Sequence, residues 1–170
     1  MTAVSSVVYV LDSLIPFPVP FGRWGFSNFV VLWLASETGL WDAVTVAALK
    51  SMLGSVLTGS FLSVSFFVGF PGSVSAALVE SLLATFGFGY VGLSVAGSFV
   101  NNFVQLMVVS HLVGTRVVFS LFPMIVALGS VSAVANAFLA SRLGGVILEN
   151  HLSFFFAEKE RADEDPGSAI

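Results

Sequence analysis

The chain has 170 residues, of which 56% are hydrophobic and 9% charged, with a mean hydropathy of +0.99 and a formal net charge of −4. A soluble domain of this size carries about 25% charged residues, so these side chains cannot coat a water-facing surface and the chain must dissolve in lipid. No basic patch offers itself to nucleic acid, and the absence of cysteine excludes disulfides, thiolate metal sites and cysteine nucleophiles.

Ala3 to Ile15 is apolar but short. At a rise of about 1.5 Å per residue it reaches roughly 20 Å, against a hydrocarbon core of about 30 Å. It also lacks the basic n-region and small-residue cleavage site of a signal peptide. It reads as a first membrane helix, short or truncated. Pro16, Pro18 and Pro20 then forbid helix and favour an extended loop up to Arg23. An apolar run resumes from Trp24 to Ser36, with Trp24 and Trp33 as candidate interface anchors. Leu40 to Leu57 is the third helix, interrupted by Lys50. Thr58 to Phe67 reads as a connector, re-entrant or interfacial, and Pro71-Gly72 as the start of a fourth helix ending near Phe86. Val91 to Val113 forms the fifth, closed by Gly114. Val117 to Leu148 is the longest stretch, its first part spanning and the rest emerging. From Glu149 the chain turns polar, and its last residues read as a solvated acidic tail.

The expected fold class is all-α: a polytopic integral membrane protein, a six-helix transmembrane bundle over residues 1–148 followed by an acidic tail over 149–170. The runs are continuous rather than alternating, which disfavours a barrel. Arg142, Lys159 and Arg161 share a side with the termini, and Arg23 and Arg116 lie opposite. That balance favours cytoplasmic termini in a multi-pass protein of the cell membrane.

Polar residues inside lipid are the candidate site. Lys50 and Glu80 fall mid-span, where charges are expensive and rarely face lipid. We expect them to pair across adjacent helices, either fixing helix register or facing a ligand. Asn101, Asn102 and Gln105 cluster on the fifth helix, and Asn101 and Gln105, four apart, share a face with Ser94 and Ser98. These amides suit a neutral polar ligand or an interhelical clamp, and Asn28 can join either network. Asn136 reads as a lone structural amide, and His111 as interfacial. Gly129, Ala133, Ala137 and Ser141 form a small-residue stripe for bundle packing or for docking a partner subunit, and Ala47, Ser51 and Ser55 form another. No motif suggests a catalytic or metal site. A Walker loop, a paired-histidine zinc motif and a carboxylate pair for magnesium and diphosphate are all missing outside the tail, and no cofactor is implied.

Gly25-Phe26-Ser27-Asn28, then Gly39, Ala43, Lys50 and Gly54, then Gly92 to Gly97, and Asn102 with Gln105, follow one pattern. It resembles the small membrane family labelled heptaprenyl diphosphate synthase component I, also called the Gx transporter family, over about residues 10 to 145. That family is grouped with the substrate-binding S components of energy-coupling-factor transporters. The resemblance implies a six-helix fold that captures a small vitamin-like or isoprenoid-related molecule, with a coupling membrane subunit and ATPases as partners. The alternative it implies is a non-catalytic membrane accessory of polyprenyl diphosphate or menaquinone synthesis. The chain departs from the family pattern at Asn101, where a His precedes the Asn, at Glu80, where an apolar residue is expected, and at Lys50, where Arg is expected.

Overall fold

The computed structural model describes residues 1–14 and 25–164, with 147–164 as backbone only. The proline-rich loop, the Trp24 anchor and residues 165–170 of the tail lie outside them. Six α-helices form, with no strand among the described residues: α1 (Thr2–Leu14), α2 (Asn28–Glu37), α3 (Leu40–Leu57), α4 (Val64–Ala84), α5 (Tyr90–Val113) and α6 (Phe122–Glu164). A 3₁₀ helix, Arg116–Leu121, leads into α6.

The boundaries follow local chemistry. The N–H groups of Thr38 and Gly39 both donate to the Leu34 carbonyl, at 2.9 and 3.0 Å, ending α2. Gly39, at φ +107°, reverses the chain into α3. The Ser63 hydroxyl accepts from the Phe66 N–H at 3.4 Å and caps α4. Gly114 ends α5 in the left-handed region. Pro123 sits in the first turn of α6, where its missing N–H costs nothing.

One expectation is corrected. The fourth helix begins at Val64, not Pro71, so the expected connector supplies its first turn and Pro71 lies inside it. Proline there removes one hydrogen bond, a loss that membrane helices tolerate because neighbouring groups re-satisfy the backbone. All six expected helices are present. Four helical segments are long and apolar enough to cross a membrane: Leu40–Leu57, Val64–Ala84, Tyr90–Val113 and Arg116–Val146. α2 is a ten-residue helix, roughly 15 Å long. Between Asn28 at its start and Ser36–Glu37 at its end it is apolar, and it touches every other α-helix. Val30 and Leu32 have no exposed surface, and Val31, Leu34 and Ala35 are buried. A helix hydrophobic all round belongs in a core, and α2 is the core of this bundle.

Around α2 stand α3, α4, α5 and α6, with α1 on the flank of α3. Tyr9 of α1 lies so close to Gly54 of α3 that any side chain there would collide with its ring. α6 continues as helix through Glu164, past the expected end of the bundle at 148. Its length of about 65 Å is roughly twice the hydrocarbon thickness, so its C-terminal part extends beyond the spanning portion.

Inside, buried polar groups adjoin the apolar core around α2, and the outer surface is apolar. Lys50 and Glu80 are 1% and 3% exposed, whereas Phe86 is 72%, Val131 67% and Phe138 58% exposed.

Candidate functional site: two adjoining polar chambers

Glycines bring the polar side chains together. Gly72 of α4 lies against Asn101 and Gln105 of α5, where a Cβ would stand 2.6 Å from Asn101 Oδ1 and 3.0 Å from Gln105 Cγ. Gly97 of α5 receives the Glu80 carboxylate, and Gly129 of α6 receives the Asn102 amide and the Ser98 hydroxyl. Each close approach seats a buried polar group on a neighbouring helix's backbone, as small residues do in membrane bundles.

Two chambers result, separated by Asn28 and Asn101, which line both together with Gly25. The first has Asp12, Lys50 and Gln105 on its walls, with Ser27 and Ser51. The Lys50 ammonium donates to the Ser27 carbonyl at 3.2 Å, to the Ser27 hydroxyl at 3.5 Å and to the Asn28 side-chain oxygen. The same Ser27 carbonyl accepts from the Ser5 hydroxyl at 3.1 Å, tying α1 to the turn before α2. Asp12 Oδ2 accepts from the Gly25 N–H at 2.9 Å. Gln105 Nε2 donates to Asn101 Oδ1 at 3.1 Å, so the i, i+4 amide pair is held as one unit.

The second chamber contains Glu80, Ser94, Ser98, Asn102 and Asn136. Asn102 Nδ2 donates to the Ser98 hydroxyl at 3.5 Å. Asn136 Nδ2 donates to the Gly25 carbonyl at 3.0 Å, tying α6 to the turn before α2. Glu80 Oε2 and Asn136 Oδ1 are buried without a hydrogen-bond partner. Water-sized space amounts to about 30 Å³ in the first chamber and about 10 Å³ in the second. Each admits about one water molecule.

All six expected site residues, Asn28, Lys50, Glu80, Asn101, Asn102 and Gln105, fall on these two chambers. Lys50 and Glu80 lie on opposite sides of the Asn28–Asn101 partition: Lys50 bonds to Ser27 and Asn28, and Glu80 rests on Gly97. Asn136 belongs to the second chamber rather than standing alone. His111 is exposed, in an open pocket with Arg116 and Phe119 at the end of α5. Gly129, Ala133 and Ala137 face inward, while Ser141 is exposed. Steps of four residues rotate about 40° each around a helix of 3.6 residues per turn, which carries Ser141 out of the contact.

Asp12 is the site residue that sequence reasoning missed. It is 6% exposed. A single carboxylate in an apolar helix was the available signal. Ser27 was passed over as well, because its role as an acceptor for Lys50 depends on where α2 sits.

A coat of exposed Phe, Leu and Val around a buried ammonium, two carboxylates and a set of amides defines a helical membrane protein with an internal polar site. The family model described as heptaprenyl diphosphate synthase component I matches residues 1–143, and the chain belongs to that family. No curated protein and no solved structure matches it.

Proposed function

We propose that the chain is a membrane-embedded capture subunit, similar to the S components of energy-coupling-factor transporters, which binds a small polar or vitamin-like molecule. The supporting observation is the first chamber. There Lys50, Asn28, Asn101 and Gln105 converge from three helices inside an apolar coat. Polar groups are costly in lipid and cluster where function needs them. A few fixed donors and acceptors within apolar walls is the usual composition of a small-molecule site. Glu80 and Asn102 stand behind the partition and bear on the ligand through Asn28 and Asn101. Because the chamber has room for about one water, holding a larger ligand requires the helices around α2 to separate. A coupling membrane subunit with ATPases would supply that work, in the cell membrane, with both termini cytoplasmic.

The family description favours a second reading, in which this component serves heptaprenyl diphosphate synthesis as a membrane accessory beside a catalytic partner. Prenyl elongation uses carboxylates to hold metal and diphosphate. Among the described residues no group of three His, Asp or Glu is placed to hold a metal ion.

Native mass spectrometry of the detergent-purified protein tests the first reading. A retained small molecule is expected, with occupancy reduced at least severalfold by Gln105→Ala or Asn102→Ala. Full retention in both variants would move the site elsewhere. Co-purification of a soluble prenyl synthase with no retained ligand would favour the accessory role.

A further inference from the structure

We propose that the second chamber is a binding site for one monovalent cation of sodium size. The site is built from oxygen. Glu80 supplies a carboxylate that is 3% exposed, and its Oε2 has no hydrogen-bond partner. Asn136, 4% exposed, supplies Oδ1, which has none either. Both line the same small chamber, Glu80 from α4 and Asn136 from α6, with the Ser94 and Ser98 hydroxyls beside them. Asn102, on the same chamber, donates an N–H to the Ser98 hydroxyl.

Buried polar atoms are nearly always satisfied, and an unpaired buried carboxylate is among the most costly groups to leave alone. Two orphaned oxygens on one chamber, one of them a carboxylate oxygen, ask for a positive partner. Among the described residues that line this chamber none is cationic. The Lys50 ammonium donates to Ser27 and Asn28 across the partition.

The donor set selects the ion. Carboxylate, amide and hydroxyl oxygens are hard ligands, suited to alkali and alkaline-earth cations and not to zinc or copper. A single carboxylate among neutral oxygens balances one positive charge, whereas divalent sites draw on several carboxylates. The size agrees. About 10 Å³ accepts a monatomic ion or one water and excludes an organic ammonium. Gly97 and Gly129 keep the chamber this tight, because each lets a polar side chain rest directly on helix backbone.

This assignment does not depend on the capture reading, and its test needs no organic ligand. The detergent-purified protein is unfolded by heat in sodium, potassium or choline chloride at equal ionic strength. The expected result is a saturable rise in Tm of several degrees in sodium over both other salts, as for any ligand that binds only the folded state. Glu80→Gln should abolish the difference, and Ser94→Ala should raise the sodium concentration needed severalfold. Equal Tm values for the wild type in all three salts would overturn the proposal and assign the space to a water. A sodium shift that survives Glu80→Gln, or a larger shift from magnesium or calcium, would overturn it too. The wild-type comparison decides even if a variant fails to fold.

Discussion

Gly97 of α5 lies directly beneath the Glu80 carboxylate of α4, so close that a methyl group on Gly97 would occupy the space of that side chain. The glycine therefore sets both the approach of the two helices and the position of the buried charge. Gly97→Ala is expected to lower stability by about 1–3 kcal/mol, the usual cost of overpacking. Gly145→Ala, inside α6 with nothing within 4 Å of its added carbon, should be neutral or stabilising by up to about 1 kcal/mol. Thermal unfolding in detergent compares the two, and equal effects would contradict the packing described.

Lys50 and Glu80 carry opposite charges on either side of one amide partition. In a medium of low dielectric such charges interact even without touching. Lys50→Met and Glu80→Gln should each destabilise the fold, and the double variant should fall short of their sum by about 0.5–3 kcal/mol, the range for coupled neighbours. A double-mutant cycle on unfolding free energies reads this directly. Additivity would show that the partition insulates the two groups.

Tyr9 seats on Gly54, and the Ser5–Ser27 and Asp12–Gly25 hydrogen bonds hold α1 as well. Gly54→Val should force Tyr9 out and release α1 while the rest of the bundle stays folded. Hydrogen exchange should rise within residues 2–14 and remain unchanged in α5. Protection of α1 equal to wild type would mean that the Ser5–Ser27 and Asp12–Gly25 hydrogen bonds hold the helix without the Tyr9 seat.

Trp41 is 80% exposed at the start of α3, whereas Trp33 is partly buried in α2. Amphipathic indoles at helix ends favour the membrane–water interface. In a variant keeping only Trp41, emission should be strongly quenched by lipids brominated near the headgroup. A variant keeping only Trp33 should show weak quenching. The reverse order would invert the assignment of core and coat.

Much of this architecture is readable from the chain. α3 runs from Leu40 to Leu57, as its apolar stretch and the flanking Gly39 and Gly59 suggest. The i, i+4 relation of Asn101 and Gln105 correctly puts them on one face. Asn102 is one residue on and about 100° around the helix, so it faces the other chamber. α2 escaped because an apolar run of ten to thirteen residues looks the same whether it enters a membrane or a core. The start of α4 was misjudged because the rules for proline weigh more in water than among neighbouring helices, while the Ser63 cap was the true signal. The roles of Gly97 and Gly129 could not be read from one chain, since a glycine's purpose here depends on which side chain the facing helix brings to it.

The enclosure of α2 bears on biogenesis. A ten-residue helix cannot hold a place across a bilayer by itself, and its lateral surface is supplied by segments synthesised later, through α6. The enclosure of α2 can therefore be completed only once α6 has joined the bundle, although α2 is translated second. Chains arrested before α6 emerges should leave α2 accessible to water-soluble labels, and full-length chains should shield it.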